Sequence, residues 1–451
     1  MDSISAEIAR LRLARHFGRV TRIWAGLVHV SGLDGHASVG DRVVFSTSCG
    51  DPLYGEVLAL SQGDAVILAE GPLEGLAIGD AVELLFAPRI APDDSWIGRV
   101  VDPFGQPLDG RVLRQGRASR GYRRPPPPAA SRKRLGARMA TGMAVFDTLL
   151  PLVQGQRIGL FAGSGVGKST LLSNLARGVE ADVIVIAMIG ERGRELREFV
   201  ESVLGPQGMA RSVVVAATSD QSPLVRRRCA WAAMSVAEHF RDAGKHVLFL
   251  ADSITRFAEA HREIALAGGE SASDRGFPPS TSNLIMGLAE RAGPGPEGSG
   301  DITGIFSVLV AGSDMDEPVA DILRGVLDGH VVMDRAIAER GRFPAIDVLR
   351  SVSRSLPGAA SDPENELIRK ARATLGAYAE SETMIKAGLY AAGSDPMLDE
   401  AVQIWPALDA FVGRKSPDGV TDSFAALAAA LKPPAGRARS GSSVQHPGRR
   451  R

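Results

Sequence analysis

The first clear pattern in the chain is a repeated alternation of apolar and polar residues between residues 18 and 88. Short apolar or alternating segments recur there, and Gly and Asp residues separate them at intervals of about ten residues. These segments span residues 26–31, 41–45, 55–60 and 64–68. Strands of this length and spacing are typical of small antiparallel barrels or sandwiches. The pattern predicts a β-barrel domain over residues 19–90.

A different pattern occupies residues 141–354, where near-continuous apolar runs alternate with segments of helical periodicity. Such runs are typical of parallel strands that are buried on both faces, because helices cover the two sides of the sheet. The predicted strands span residues 157–161, 182–188, 213–217, 246–251, 305–311 and 330–333. The predicted helices span residues 193–204, 223–242 and 254–266. We expect an α/β domain over residues 91–355.

Helical patterns also occur at both ends of the chain. Ile4, Ile8 and Leu11 recur at helical spacing, which predicts a short amphipathic helix within residues 1–18. Because a lone helix of this length is marginal in water, we expect it to pack on the body or to bind a partner. A frayed leader is the alternative. The proline-rich residues 123–128 predict an extended connector, with an SH3 ligand as the alternative.

After residue 355 the chain is mainly helical in pattern. Helical stretches span residues 363–377, 381–389, 396–411 and 422–431. They predict a helical domain over residues 356–432. Residues 433–451 are rich in Gly, Ser and Arg, and we expect a disordered basic tail there.

Composition restricts the classes of function. The 451 residues carry 52 basic and 52 acidic side chains, so no net charge attracts nucleic acid or an anionic membrane. The two cysteines, Cys49 and Cys229, provide neither a disulfide framework nor a zinc pattern. We see no secretory signal and no apolar segment of the length that spans a membrane. We therefore expect a cytoplasmic protein that does not bind nucleic acid and that associates with membranes only through partners.

The candidate chemistry centres on residues 156–171, where an apolar run leads through a glycine-rich loop into helix-forming sequence. This order is that of a P-loop, whose backbone N–H groups cradle phosphates at the positive end of a helix. Lys168 is expected to reach the β- and γ-phosphates, and the Ser169 hydroxyl to bind Mg²⁺. The strict pattern has Gly where this chain has Ala162, and a flexible loop with a chance lysine is the alternative. The predicted nucleotide-binding residues of the loop are Ala162, Gly163, Ser164, Gly165, Val166, Gly167, Lys168, Ser169 and Thr170.

Two further apolar strands end in acidic residues. Residues 246–251 lead into Asp252, which is the arrangement of a Walker B strand. Asp252 is therefore predicted to hold Mg²⁺, and capping of the next helix is the alternative. Residues 181–190 lead into Glu191 and Arg192. A Glu at this edge polarises an attacking water and the Arg orients it or binds the γ-phosphate, whereas a surface ion pair is the alternative.

Longer motifs resemble those of the rotary, hexamer-forming ATPases, and among them the flagellar and type III secretion export ATPases. These motifs are FAGSGVGKS (161–169), GERGRE (190–195), LADSITRFAEA (250–260), RGFPPS (275–280), ERAG (290–293), EPVADILRGVLDGHVV (317–332) and ERGRFPAIDVLRSVSR (339–354). The resemblance extends over residues 20–430. It implies a RecA-like P-loop NTPase core with a parallel sheet, preceded by a small N-terminal β-barrel and followed by a C-terminal helical domain.

The resemblance also implies residue roles, with ATP and Mg²⁺ as cofactors. Glu191 matches the catalytic glutamate, and Arg192 becomes a site residue. Arg354 matches an arginine finger that acts in trans on the nucleotide of a neighbouring subunit. Phe343 matches the position where an aromatic ring stacks on adenine, with core packing as the alternative.

The same resemblance implies the binding partners of the protein and its location in the cell. We expect a homohexamer at the cytoplasmic face of the inner membrane export apparatus. The implied partners are a stator-like regulatory protein at the N-terminal helix, export chaperone–substrate complexes, and the export gate and central stalk proteins.

The expected function is ATP hydrolysis that assists chaperone release and the export of flagellar substrates. A virulence-type secretion ATPase and the catalytic β subunit of the F-type ATP synthase remain alternatives, although GERGRE and residues 320–330 favour the export type. A Rho-like RNA translocase would carry a basic, aromatic N-terminal domain, which this chain does not. A nucleotide-sensing scaffold is the non-enzymatic alternative, and the presence of Lys168, Glu191 and Asp252 argues against it.

Overall fold

The computed structural model describes residues 14–47, 50–310 and 315–433. The helix predicted within residues 1–18 lies almost wholly outside the described residues, as does the predicted tail beyond Pro433. Across the described segments, no helix is both long enough and apolar enough to cross a membrane.

An antiparallel barrel forms the N-terminal part of the described chain. Its strands are β1 (Phe17–Trp24), β2 (Leu27–Ser31), β3 (Arg42–Phe45), β4 (Leu53–Ser61), β5 (Asp64–Ala69) and β6 (Ala81–Phe86). They close in the order β1-β2-β5-β4-β3-β6. Alternate residues point inward, such as Val28 and Val30 on β2 and Val43 and Phe45 on β3. The alternation in the sequence thus supplies the apolar interior of the barrel.

A mostly parallel sheet forms the centre of the molecule. The remaining strands are β7 (Arg89–Ile90), β8 (Arg99–Val101), β9 (Arg120–Gly121), β10 (Arg157–Ala162), β11 (Val183–Glu191), β12 (Ser212–Thr218), β13 (Val247–Asp252), β14 (Gly293–Pro294), β15 (Asp301–Leu309), β16 (Gly329–Met333) and β17 (Ile346–Ser353). The main order is β17-β16-β10-β15-β13-β11-β12-β8, with β14 beside β15, while β7 pairs with β9. Alternate residues of β11 enter two separate cores, Val185 and Ala187 on one face and Ile184 and Ile186 on the other.

Helices cover both faces of the sheet and also form the C-terminal part of the chain. They are α1 (Ala144–Asp147), α2 (Lys168–Gly178), α3 (Gly193–Glu198), α4 (Gly205–Met209), α5 (Pro223–Asp242), α6 (Ile254–Ala267), α7 (Ser280–Ala289), α8 (Pro318–Val326), α9 (Arg335–Glu339), α10 (Asp362–Lys386), α11 (Pro396–Val412) and α12 (Val420–Ala430). A π-helical turn spans Phe199–Leu204, and 3₁₀ turns span Asp94–Trp96, Ala129–Ser131 and Asp274–Gly276. This order of barrel, α/β sheet and C-terminal helices confirms the expected fold class.

Two local expectations were wrong in the helices. One continuous helix, α10, runs through the stretches expected over 363–377 and 381–389 and ends at Lys386. The intervening residues contain no breaker, and Tyr378 stacks on Trp405 of α11 with ring centroids 4.4 Å apart. The helix expected over residues 193–204 is α-helical only at its start and continues as a π-helical turn.

One edge of the sheet also departs from the expected parallel pattern. β17 pairs antiparallel with β16, and the sequence pattern did not predict β17 as a strand. Its buried residues, such as Ile346 and Val348, are interrupted by the exposed Leu349 and Arg350, so it lacks a continuous apolar run. This strand leads directly into Arg354.

Candidate active site

The P-loop joins β10, near the middle of the sheet, to α2. Gly165 and Gly167 adopt positive φ angles of 77° and 87°, a region that side chains with a Cβ rarely adopt. Gly167 is the N-cap of α2, so the helix begins at Lys168 with its N-terminus at the loop. Ala162, where the strict motif has Gly, is fully buried and pairs in register with Leu309 and Met333, so its methyl group belongs to the core.

Asp252 lies at the end of β13 and is almost completely buried. The Lys168 ammonium donates to its Oδ1, which forms an ion pair between the P-loop and the end of β13. The Ser307 hydroxyl donates to the same oxygen at 2.7 Å. Capping of α6 is performed by Ser253, whose side chain accepts from the Arg256 N–H, so Asp252 is not the helix cap.

Glu191 lies at the end of β11, next to β13 in the sheet. A register shift between Ile189 and Glu191 coincides with the positive φ of Gly190, 70°. Burial, followed by repulsion from the Asp252 carboxylate, raises the pKa of Glu191 to about 7, while the Lys168 ammonium opposes this shift. The site therefore brings two carboxylates and one ammonium group together at a single sheet edge.

Lys168 and Glu191 line an open cleft of about 980 Å³, and Lys168 also contacts the buried Asp252. Arg192 lines it, is largely exposed, and contacts Glu195 with 3.4 Å between Nη1 and Oε1. The sequence reasoning did not name several other lining residues, which are Glu195, Ser219, Arg226, Thr255, Arg256, Glu259 and Glu317. Of these, Arg226 donates to Glu263 at 3.0 Å and Arg256 to Glu259 at 2.9 Å, so carboxylates hold both guanidinium groups at the rim.

Phe343 lies beside the P-loop. Its Cδ1 atom is 3.4 Å from the point that a Cβ on Gly167 would occupy, and the side chain is 54% exposed. The ring is therefore not packed in the core, although Phe343 is not among the described residues that line the cleft.

Arg354 directly follows the last residue of β17. It is not among the described residues that line the cleft of its own chain. It is exposed, its backbone N–H donates to the Asp328 carbonyl at 2.9 Å, and its Nη2 donates to the Arg324 carbonyl at 3.2 Å. The C-terminal end of α8 therefore holds the guanidinium group on the surface.

Ser307 is a further residue that the sequence reasoning missed. It is a fully buried hydroxyl on the central strand β15. The available signal was a single hydroxyl within the apolar run 305–311, whose sequence is IFSVLVA. Only the pairing of β15 with β13 shows that this hydroxyl faces Asp252.

Two family models match the chain. Residues 142–353 match the nucleotide-binding domain of the ATP synthase alpha/beta family. Residues 360–429 match the T3SS EscN ATPase C-terminal domain.

Individual relatives match over most of their length. A flagellum-specific ATP synthase of Caulobacter vibrioides is 43% identical over 443 residues, which cover 96% of this chain and 99% of that protein. A type 3 secretion system ATPase of Pseudomonas syringae pv. syringae is 43% identical over 383 residues, which cover 83% of this chain and 85% of that protein. The assembled ATPase EscN from the enteropathogenic E. coli type III secretion system superposes with a TM-score of 0.84 at 33% identity, covering 92% of this chain and 100% of that one. The resemblance seen in the motifs is confirmed, and the chain belongs to the family of flagellum-specific ATP synthases and type III secretion ATPases.

Proposed function

We propose that this chain hydrolyses ATP as a homohexamer that serves flagellar protein export. The observation that carries the proposal is the convergence of the P-loop, Asp252 and Glu191 at the carboxyl ends of β10, β13 and β11, where β15 separates β10 from β13. Ligands in open α/β sheets bind at this edge. The family membership supports ATP as the nucleotide.

The phosphates of ATP bind in the loop 162–169. The backbone N–H groups around Gly165 and Gly167 and the N-terminus of α2 attract the anion, and Lys168 binds the β- and γ-phosphates. Phe343 stacks on the adenine, which its exposure and its position beside Gly167 support.

The donor set fits Mg²⁺. The hydroxyl of Ser169 and the carboxylate of Asp252 are hard oxygen ligands of the kind that this ion prefers. The contact between the Lys168 ammonium and Asp252 supports the assignment, because a positive charge already lies against that carboxylate. Ser169 and Asp252 would hold the ion, which when bound would supply positive charge against the phosphates.

Glu191 orients the attacking water in line with the γ-phosphate, and its carboxylate accepts a hydrogen bond from that water. Lys168 and Arg192 stabilise the charge that develops in the transition state. Arg354 acts in trans on the nucleotide of the neighbouring subunit, which its exposed position outside its own cleft supports.

Export is proposed from the relatives. The flagellum-specific proteins match this chain over most of its length, and EscN has been solved in complex with its central stalk EscO. We infer that this chain works at the cytoplasmic face of the export apparatus with a stalk-like protein, the export gate and chaperone–substrate complexes. Residues 1–18 bind a stator-like regulatory protein.

A virulence-type secretion system is the second candidate, because type 3 secretion ATPases are as similar in identity as the flagellar relatives. The two candidate functions are distinguished by co-purification. The informative proteins are those that co-purify with the full chain but not with a chain that lacks residues 2–17. Flagellar rod, hook or filament components support the first candidate, and needle components support the second.

The proposed action of Arg354 on the nucleotide of a neighbouring subunit can be tested separately. Arg354→Ala and Glu191→Gln are purified with different tags and assayed for ATPase activity alone and as an equimolar mixture. Each alone is inactive, but random mixing rebuilds about a quarter of the sites, because a subunit with Glu191 then meets a neighbour with Arg354. Activity per subunit also falls on dilution. A co-purifying mixture without recovered activity, or activity that stays constant on dilution, overturns the trans role.

A further inference from the structure

A buried hydroxyl group on β15 has no role in the mechanism described so far. Ser307 is fully buried within a central strand, where its neighbours along the chain are apolar. β15 lies between β10 and β13, and Ser307 pairs in register with Leu160 of the strand that leads into the P-loop. On its other side, the pairing of Phe306 with Ala251 brings Ser307 next to Asp252.

The hydroxyl has a single defined partner there. Ser307 Oγ donates to Asp252 Oδ1 at 2.7 Å, which is a short, charge-assisted hydrogen bond. The Lys168 ammonium reaches the same oxygen. Among the described residues, both hydrogen bonds to the Asp252 side chain therefore end on Oδ1, and none ends on Oδ2.

Two donors on one carboxylate oxygen fix the rotation of the carboxylate plane. Of the two, Lys168 is long and flexible and also binds phosphate, whereas Ser307 is anchored in a strand with parallel neighbours on both sides. Residues that orient a metal ligand in this way commonly contribute a factor of about 10–100 to metal affinity or activity.

We propose that Ser307 is a positioning residue for the metal carboxylate, which holds Asp252 through Oδ1 and so leaves Oδ2 available to the Mg²⁺ that accompanies ATP. The assignment rests on the proposed function for the identity of the ligand. It requires the hydroxyl group and not merely the volume of the side chain.

Three variants of the full chain separate these contributions. Ser307→Ala removes the donor, Ser307→Thr keeps it, and Ser307→Cys keeps the volume with a weaker donor. The matched control is Thr303→Val, which removes another fully buried hydroxyl from the same strand. Thr303 Oγ1 accepts from the Gly155 N–H and lies 2.9 Å from His246 Nε2, both away from Asp252.

Binding of Mn²⁺ as a Mg²⁺ probe is measured by electron paramagnetic resonance in the presence of a non-hydrolysable ATP analogue, and the Mg²⁺ concentration for half-maximal hydrolysis is measured in parallel. Ser307→Ala is expected to weaken both by about tenfold, while affinity for the analogue without metal stays unchanged. Ser307→Thr restores the wild-type values, and Ser307→Cys falls between them. Thr303→Val lowers the melting temperature without changing the metal dependence.

A Ser307→Ala protein that melts earlier but binds Mn²⁺ as tightly as the wild type overturns the proposal. If Ser307→Ala does not fold, wild-type metal affinity in Ser307→Cys overturns it instead. The Mn²⁺ signal does not depend on turnover. A wild-type chain that binds Mn²⁺ and the analogue but does not hydrolyse ATP therefore contradicts the proposed function without affecting the test of Ser307.

Discussion

Lys168 of the P-loop and Asp252 at the end of β13 form a direct ion pair, although 84 positions separate them in the sequence. Both side chains are largely buried, and each neutralises the charge of the other where water is scarce. In the proposed function Lys168 also binds phosphate and Asp252 also binds the metal. Binding of the nucleotide therefore exchanges this ion pair for ligand contacts.

Replacement of Lys168 by Met should abolish hydrolysis and also destabilise the chain. The change leaves the buried Asp252 carboxylate without its cation, and breaking a buried pair costs about 3–5 kcal/mol. The melting temperature in the absence of nucleotide measures the loss. Lys168→Met combined with Asp252→Asn should regain most of the melting temperature but not the activity. A single variant that melts like the wild type would show that the pair does not contribute to stability.

Glu191→Gln should separate hydrolysis from binding. The amide keeps the size of the side chain but no longer accepts the water proton, so the hydrolysis rate should fall by about 10²–10⁴. Affinity for a fluorescent ATP analogue should stay within about threefold of the wild type. The control is Glu195→Gln, which changes a neighbouring carboxylate of the same cleft. Equal loss of activity in both variants would count against a specific role for Glu191.

Phe343 can be tested with a ligand that has no base. Phe343→Ala should weaken ATP binding by about tenfold or more, because stacking on a base contributes about 1–3 kcal/mol. Phe343→Tyr should bind ATP like the wild type. Inorganic triphosphate, which has no adenine, should bind all three proteins equally. Loss of triphosphate affinity in Phe343→Ala would indicate that the ring supports the P-loop instead.

Glu56 of the barrel links it to the α/β core. Its two carboxylate oxygens accept from Arg227 at 2.6 Å and from Arg228 at 2.7 Å, both on α5, and all three residues are buried. Glu56→Ala leaves two buried guanidinium groups without this partner and should cost about 3–5 kcal/mol of stability. The exposed pair of Arg335 and Glu339 is the control, and Glu339→Ala should cost at most about 0.5 kcal/mol. Similar losses in the two variants would contradict the link.

His261 should make stability fall in acid. Burial, then the Arg227 guanidinium, lowers its pKa to about 4, with Arg123 adding to the effect and Glu270 opposing it. Its Nε2 lies 2.7 Å from the Ser280 hydroxyl. As the pH falls from about 6.5 towards 4, the unfolded chain takes up a proton on this imidazole that the folded chain does not, so the wild type loses stability.

His261→Gln removes that titration. We expect His261→Gln to melt at a lower temperature than the wild type at pH 7.5. This difference in melting temperature should become smaller when both proteins are measured at pH 5. A deficit that stays constant over this range would show that the imidazole does not titrate differently in the two states.

Local sequence determined much of this architecture. The strand–loop–helix order around Lys168 and the apolar strands that end at Asp252 and Glu191 depend on residues within one turn or strand, and α5 begins and ends where its sequence pattern does. Such elements follow from hydrophobic period, glycines and caps, which are visible in a short window. Where an element lacked that signal, as in β17 with its interrupted apolar pattern, the sequence did not predict it.

The tertiary structure alone decided which of these elements meet. Ser307 and Asp252 are 55 positions apart and Glu56 and Arg228 are 172 apart, and only the strand order and the docking of the barrel on α5 bring their side chains together. Arg354 lies outside the cleft of its own chain because β17 runs antiparallel to β16, so that Ile346 pairs at the P-loop end of the sheet and Ser353 pairs with Gly329 at the opposite end. Pairing between distant strands is a property of the whole fold, so no local periodicity encodes the partners of an individual hydroxyl or guanidinium group.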